Sequence, residues 1–236
     1  MSKQWKIHIG GFRKTTLIDY PGKIAAIVYT AGCNFRCPWC HNPSLIDPTC
    51  FTEKLDPDEI LLFLKSRKGQ LDGVVITGGE PTLWNDLELF IRSVRNTGML
   101  VKLDTNGSRP NIIEHFMNQG IIDYIAMDVK VPLERYQSLT KSRVNTKAIY
   151  DSIELIKSSG IDYEFRTTVV PALYTEQDYA GIRELVSGAK RYVLQGFRPG
   201  NCLDKLFNEY APMEKEALQR VADYFSGHVE ELLVRA

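Results

Sequence analysis

The stretch Ile24-Ala25-Ala26-Ile27-Val28-Tyr29-Thr30, running straight into Ala31-Gly32-Cys33-Asn34-Phe35-Arg36-Cys37-Pro38-Trp39-Cys40-His41-Asn42, sets the terms for the rest of the chain. A short apolar run rich in β-branched residues, with no polar alternation, reads as a strand buried on both faces, the kind found in parallel sheets. Further runs of the same kind are Gly73–Thr77, Leu100–Asp104, Asp123–Asp128, Tyr163–Val170 and Arg191–Gln195.

Helical periods fill the gaps between these runs. Leu87, Phe90, Ile91 and Val94 recur at i, i+3, i+4, i+7, as do Leu218, Val221, Ala222 and Phe225. Ile149, Ile153 and Ile156 mark another helix, and Tyr179, Ile182 and Val186 one more. Asp56-Pro57-Asp58-Glu59 reads as a capped helix start with proline at the first helical position, and Asn85 with Glu88 repeats the idea. Gly98, Gly120 and Gly160 punctuate helix ends. The alternation gives about six β-α units, short of the eight of a complete barrel. The expected fold class is α/β, an incomplete (β/α)6 TIM-like barrel with parallel strands. It is expected as a single domain over 1–236, with 1–23 an N-terminal extension leading into the first barrel strand. The one long irregular stretch, residues 31–55, follows that strand, where barrel chemistry sits.

Composition narrows the function classes. The chain has 236 residues, 44% apolar and 25% charged, enough for a packed core and unlike a disordered segment. Lys plus Arg and Asp plus Glu number 29 each, so no basic excess points to a nucleic-acid partner. No apolar run approaches the roughly 18 residues of a membrane span. Met1-Ser2-Lys3-Gln4-Trp5 lacks a secretory apolar region, and a cytoplasmic location is expected.

Of the five cysteines, Cys33, Cys37 and Cys40 fall within eight residues, while Cys50 and Cys202 stand apart. An odd number in a long chain argues against a disulfide framework. Three thiolates spaced C-x3-C-x2-C can wrap one face of a compact cluster, leaving a tetrahedral zinc or a four-iron cube one ligand short. Zinc completed by His41 or Cys50 is one reading, and an iron-sulfur cluster with one iron open to a small molecule is the other. Thr77-Gly78-Gly79-Glu80-Pro81 closes the next strand, and a glycine pair allows the backbone to approach a ligand closely. Leu103-Asp104-Thr105-Asn106-Gly107 and Met127-Asp128-Val129-Lys130 end the following two strands. Their carboxylates suit either helix caps or a hydroxyl-rich or cationic ligand. Arg166, inside Phe165-Arg166-Thr167-Thr168, needs an anion, which can be a protein carboxylate or a ligand's.

The Cys loop with Trp39 before its last cysteine, together with the G-G-E-P element, resembles the radical S-adenosylmethionine (SAM) superfamily. Ile9-Gly10-Gly11-Phe12-Arg13-Lys14-Thr15-Thr16-Leu17-Ile18-Asp19-Tyr20-Pro21-Gly22, read with nearly the whole chain, resembles the activating proteins of anaerobic ribonucleoside-triphosphate reductase, in the glycyl-radical enzyme activating family. The resemblance implies one [4Fe-4S] cluster held by Cys33, Cys37 and Cys40. It implies SAM contacts from Trp39, His41, Gly78, Gly79 and Glu80 around the cluster loop and the turn after the next strand. It further implies contacts from Asp104, Thr105 and Asn106, then Met127, Asp128 and Lys130, and Arg166, with a monovalent cation site nearby. The implied partners are a glycyl-radical enzyme, anaerobic ribonucleotide reductase, as protein substrate, and a flavodoxin- or ferredoxin-type electron donor. No membrane or nucleic acid is implied. Pyruvate formate-lyase activators carry a SAM-contacting histidine after their last strand, and here no histidine follows the sixth run until His228. Alternative readings are a small-molecule enzyme like 7-carboxy-7-deazaguanine synthase and a non-enzymatic zinc-binding module. Cys50 and Cys202 are expected to be unligated, and His228–Arg235 reads equally as strand or helix end.

Overall fold

In the computed structural model, which describes residues 5–46, 54–171 and 173–236, all six apolar runs are strands. They are β2 (Ala25–Thr30), β3 (Gly73–Gly78), β4 (Leu100–Thr105), β5 (Tyr124–Asp128), β6 (Asp162–Val169) and β7 (Arg191–Gly196). Two strands were not expected as such: β1 (Ile9–Thr16), and β8 (Glu231–Arg235), which settles the ambiguous C-terminal stretch. The helices are α1 (Pro57–Ser66), α2 (Leu87–Arg95), α3 (Pro110–Asn118), the single turn α4 (Tyr136–Leu139), α5 (Thr146–Ser158), α6 (Glu176–Val186) and α7 (Lys215–Asp223). Among the described residues no helix is long and apolar enough to cross a membrane.

The strands form one sheet in the order β1 to β8, and that order does not close on itself. β1 runs antiparallel to β2, with Phe12 opposite Val28. The pairs β2–β3, β3–β4, β6–β7 and β7–β8 are parallel. This is an α/β fold on a mostly parallel, open sheet, as the shortfall of β-α units implied. The supposed N-terminal extension thus contributes a strand.

Contacts gather the chain into two compact units, each assembled from several segments. The first comprises Met1–Asn34, Ser44–Thr105 and Asn111–Ile125. Its core includes Tyr20, Ala25, Ile27, Val75 and Tyr124, with Tyr29 and Leu100 packed against them. Asp56 caps α1 as expected, accepting from the Asp58 amide at 2.9 Å. The start of α2 differs from the expectation. Asp86, not Asn85, is its N-cap, and it makes no side-chain cap bond. Its carboxylate instead accepts from the amides of Lys6 (2.6 Å) and Ile7 (3.0 Å), while Glu88 bonds Arg92 and His115. Tertiary partners outcompete the local cap.

The second unit comprises Phe35–Pro43, Asn106–Pro110 and Ala126–Ala236. Ile149, Ile153 and Ile156 of α5 are fully buried there, and Tyr192 packs on Phe225 with ring centroids 4.8 Å apart. Thr175 and Asp178 form a complete capping box at the start of α6.

Candidate active site

In the first unit, parallel pairing of β2 with β3 sets Gly78 beside Thr30. The turn after β3 then runs against the start of the Cys loop. The Gly79 amide donates to the Thr30 carbonyl (2.9 Å) and the Glu80 amide to the Gly32 carbonyl (2.8 Å). Gly78 has φ +120°, and a Cβ there would lie 2.2 Å from the Thr30 carbonyl oxygen. A Cβ on Gly79 would lie 2.1 Å from the Gly32 oxygen and 3.2 Å from Cys33 Cβ. Both glycines are therefore required by close backbone approach. Trp84 Nε1 donates to the Ala31 carbonyl at 2.8 Å and braces the same segment.

Glu80 is fully buried. Its Oε1 accepts from the Thr82 amide (3.2 Å), Thr82 Oγ1 (2.6 Å) and Thr105 Oγ1 (2.8 Å). Glu80 and Thr105 thus tie the β3 and β4 ends together. Asp104 accepts from Lys102 Nζ at 2.5 Å. Lys102 was missed by the sequence reading. The available signal was a single lysine inside the apolar Leu100–Leu103 run, two residues before an aspartate and so on the same strand face.

The second unit holds the rest of the loop. The Cys40 amide donates to the Cys37 carbonyl (3.0 Å), making a turn that exposes Cys40 partly and buries Cys37. The segment after β7 backs onto this turn, with the Leu203 amide donating to the Cys40 carbonyl (3.0 Å) and that of Asp204 to the Pro38 carbonyl (2.9 Å). Trp39 is buried against Phe207, ring centroids 6.4 Å apart. His41 Nε2 lies 2.7 Å from the Arg198 carbonyl oxygen, so that nitrogen acts as a donor, and its ring packs on Phe197.

Asp128 accepts from Lys130 Nζ (3.1 Å) and from Arg166 Nε (3.0 Å), so Arg166 has the protein carboxylate that the sequence left as one alternative. Burial alone would raise the Asp128 pKa, but Lys130 and Arg166 more than offset it and bring it to about 2. Burial pulls Lys130 the other way, yet Asp128 and Cys37 carry its ammonium above the usual lysine value. Burial also raises the Cys40 thiol, with the Asn42 backbone and Lys130 opposing. Met127 lies under Gly107, where a Cβ would meet its Cε at 2.0 Å. Asn106 Oδ1 accepts from the Ser108 amide at 2.9 Å in a local turn. Cys202 is a buried free thiol, and Cys50 lies outside the described residues.

Among the described residues no three His, Cys, Asp or Glu side chains already stand grouped around a metal position. The donor set nevertheless fits an iron-sulfur group. Three cysteines, none of them in a disulfide, sit on one loop, and the Lys130 ammonium opposes the burial that raises the Cys40 thiol. The paired glycines bring the backbone against that loop's first cysteine.

Comparison with known proteins bears on the same loop and strands. The signature of the Radical SAM superfamily matches residues 27–186. A protein of Methanocaldococcus jannaschii, named among the glycyl-radical enzyme activating enzymes, is 33% identical over 98% of this chain and 96% of its own length. The pyruvate formate-lyase-activating enzyme of Clostridium pasteurianum is 27% identical over 72% of this chain and 71% of its own. The crystal structure of Streptococcus suis SuiB bound to its precursor peptide SuiA shares the fold, with a TM-score of 0.69 at 13% identity over 89% of this chain. This chain spans 48% of that SuiB chain. Radical SAM enzymes use SAM and an iron-sulfur cluster. With a matching signature over most of the chain and a near full-length relative, the protein is an enzyme of the radical SAM superfamily and belongs to its glycyl-radical enzyme activating family.

Proposed function

We propose that the protein activates anaerobic ribonucleotide reductase by generating a glycyl radical on it. The observation that carries the activating role is the relative matched end to end, 98% of this chain against 96% of its own. The reductase as target rests on the Gly10–Gly22 segment, and the reading takes the chain as one functional domain acting in the cytoplasm. In it, Cys33, Cys37 and Cys40 hold one [4Fe-4S] cluster, and a flavodoxin- or ferredoxin-type protein supplies the electron.

Bound together, the reduced cluster and SAM supply a 5′-deoxyadenosyl radical able to remove a glycine Cα hydrogen. The chain's own residues bind, orient and enclose. Gly78 and Gly79 present backbone carbonyls to SAM's amino group, and Glu80 and Thr105 hold that turn in place. Asp104 would serve the ribose hydroxyls, and Asn106 is carried over as a further SAM contact. Asp128, Lys130 and Arg166 form a charged cluster that would meet SAM's carboxylate, with Met127 a further contact and a monovalent cation site nearby. Trp39 and His41 shape the loop around the cluster. A glycine suits the substrate position because no side chain shields its Cα and both flanking amides stabilise the product radical.

The test is incubation of the anaerobically reconstituted protein with SAM, a one-electron reductant and an anaerobic ribonucleotide reductase. A glycyl paramagnetic doublet on the reductase is expected, with deuterium moving from the labelled glycine into 5′-deoxyadenosine. Cys33→Ala, Cys37→Ala and Cys40→Ala should each abolish the doublet, while Cys50→Ala and Cys202→Ala should retain it. Label uptake from a free small molecule, with the glycine untouched, would instead favour an enzyme like 7-carboxy-7-deazaguanine synthase. Absence of labile sulfide after anaerobic reconstitution would leave only the zinc-binding reading.

A further inference from the structure

Among the described residues Lys102 is the most deeply buried lysine or arginine, its side chain 1% exposed. It sits mid-strand in β4, on the same face as Asp104 and between the apolar Val101 and Leu103. Its ammonium lies 2.5 Å from Asp104 Oδ1 and 5.7 Å from the centroid of the Tyr124 ring, a cation–π contact. Stability does not account for this arrangement. Burying an ammonium is costly, and well-packed apolar residues commonly replace a buried ion pair at no loss. The strand is otherwise apolar here, and a methionine would fill the same volume.

The pair has a direction, however. Lys102 is sealed, while the Asp104 side chain keeps 12% exposure at the C-terminal end of β4. The next residue, Thr105, is bonded to Glu80 of the glycine turn. A short carboxylate at a strand end rotates freely about χ2 unless one oxygen is held. Here Oδ1 is held by a charge-assisted bond from Lys102, which fixes the plane of the carboxylate.

We propose that Lys102 is a positioning residue, a built-in cation that locks Asp104 in the orientation that receives the vicinal hydroxyls of the bound SAM ribose. Lys102 itself touches no ligand. The inference rests on the reading that places Asp104 at the SAM ribose, and the experiment separates the two.

SAM affinity is measured by equilibrium binding on the anaerobically reconstituted protein, and the melting temperature of each variant is recorded alongside. Lys102→Met, which keeps volume but not charge, should weaken SAM about tenfold or more, equivalent to about 1.4 kcal/mol, at unchanged iron content. Lys102→Arg should stay within about threefold of the parent, about 0.65 kcal/mol. In Lys102→Ala, n-propylammonium, which replaces the deleted atoms, should restore affinity, whereas n-propanol, which fills the same space without charge, should not. Should the alanine variant fail to fold, the Met and Arg variants decide the matter alone. Parental affinity in Lys102→Met, or equal rescue by the alcohol, overturns the proposal. Asp104→Asn is the control for the underlying reading. If it binds SAM as tightly as the parent, Asp104 does not serve SAM and both ideas fall. If it loses SAM while Lys102→Met does not, only the positioning role falls.

Discussion

Gly79 shows how much a single atom decides at this site. Its Cα stands where any Cβ would come within 2.1 Å of the Gly32 oxygen, and that oxygen already accepts the Glu80 amide. Gly79→Ala must therefore push the Cys33 segment aside or break that bond, because backbone atoms cannot swing away as a long side chain can. We expect a loss of about 2 kcal/mol or more in stability, together with a fall in iron retained per chain. Denaturant melts and iron analysis of the same preparation would check it, and an unchanged iron content would show that the loop does not depend on this contact. Gly79, with Cys33, Cys37 and Cys40, could be named as a candidate from the sequence because identity and spacing alone single these residues out. The partner of Arg166 was not, because an arginine on a strand acquires meaning only from what folds against it, here a carboxylate 38 positions away in the chain. Lys102 left a signal that went unread, a lone lysine two residues before an aspartate in an apolar run.

Among the elements, α6 carries the clearest test. Asp178, 2% exposed at the side chain, accepts from the Thr175 amide (2.7 Å) and Thr175 Oγ1 (2.8 Å), and forms an ion pair with Arg135. Burial alone would raise its pKa, but the Thr175 amide and Arg135 bring it below the ordinary aspartate value. A lowered folded-state pKa means the stabilisation is fully present above the unfolded value of about 3.9 and fades as pH falls below it. Asp178→Asn should cost about 2–3 kcal/mol at pH 7, reduced from the fully buried case because Arg135 is one-third exposed. The gap between parent and variant should stay constant down to about pH 4 and close as the pH falls further. A gap that persists at low pH would assign the loss to packing. At this scale the sequence announced strands by unbroken apolar runs and helices by their period. β1 gave neither signal, because Gly10 and Gly11 supply no side chain and Arg13, Lys14 and Thr15 face water. It is a strand because β2 offers it an edge. β8 was ambiguous for a related reason: Leu232-Leu233-Val234 is too short to show a period, and pairing with β7 decides it.

For the molecule as a whole, the open α/β architecture followed from counting β-α units. The division into two compact units left no trace in composition, since each is stitched from separate segments and no linker joins them. The strand order has a further consequence. A sheet that does not close ends in two outermost strands, and unpaired strand edges invite pairing with another molecule. β1 meets this hazard in two ways. At Ile9 its outer edge is covered by an antiparallel bridge to Leu55, whose amide donates to the Ile9 carbonyl at 3.0 Å. Farther along, exposed Arg13 and Lys14 place two like charges where a second copy of the strand would have to lie. Replacing both with valine would raise β propensity and remove the repulsion together. That double variant should form oligomers or aggregates in light scattering at concentrations where the parent scatters as a single species. If it stays dispersed, the Leu55 bridge alone suffices. The charges in this segment thus act as guards against self-association, a duty separate from any chemistry at the Cys loop.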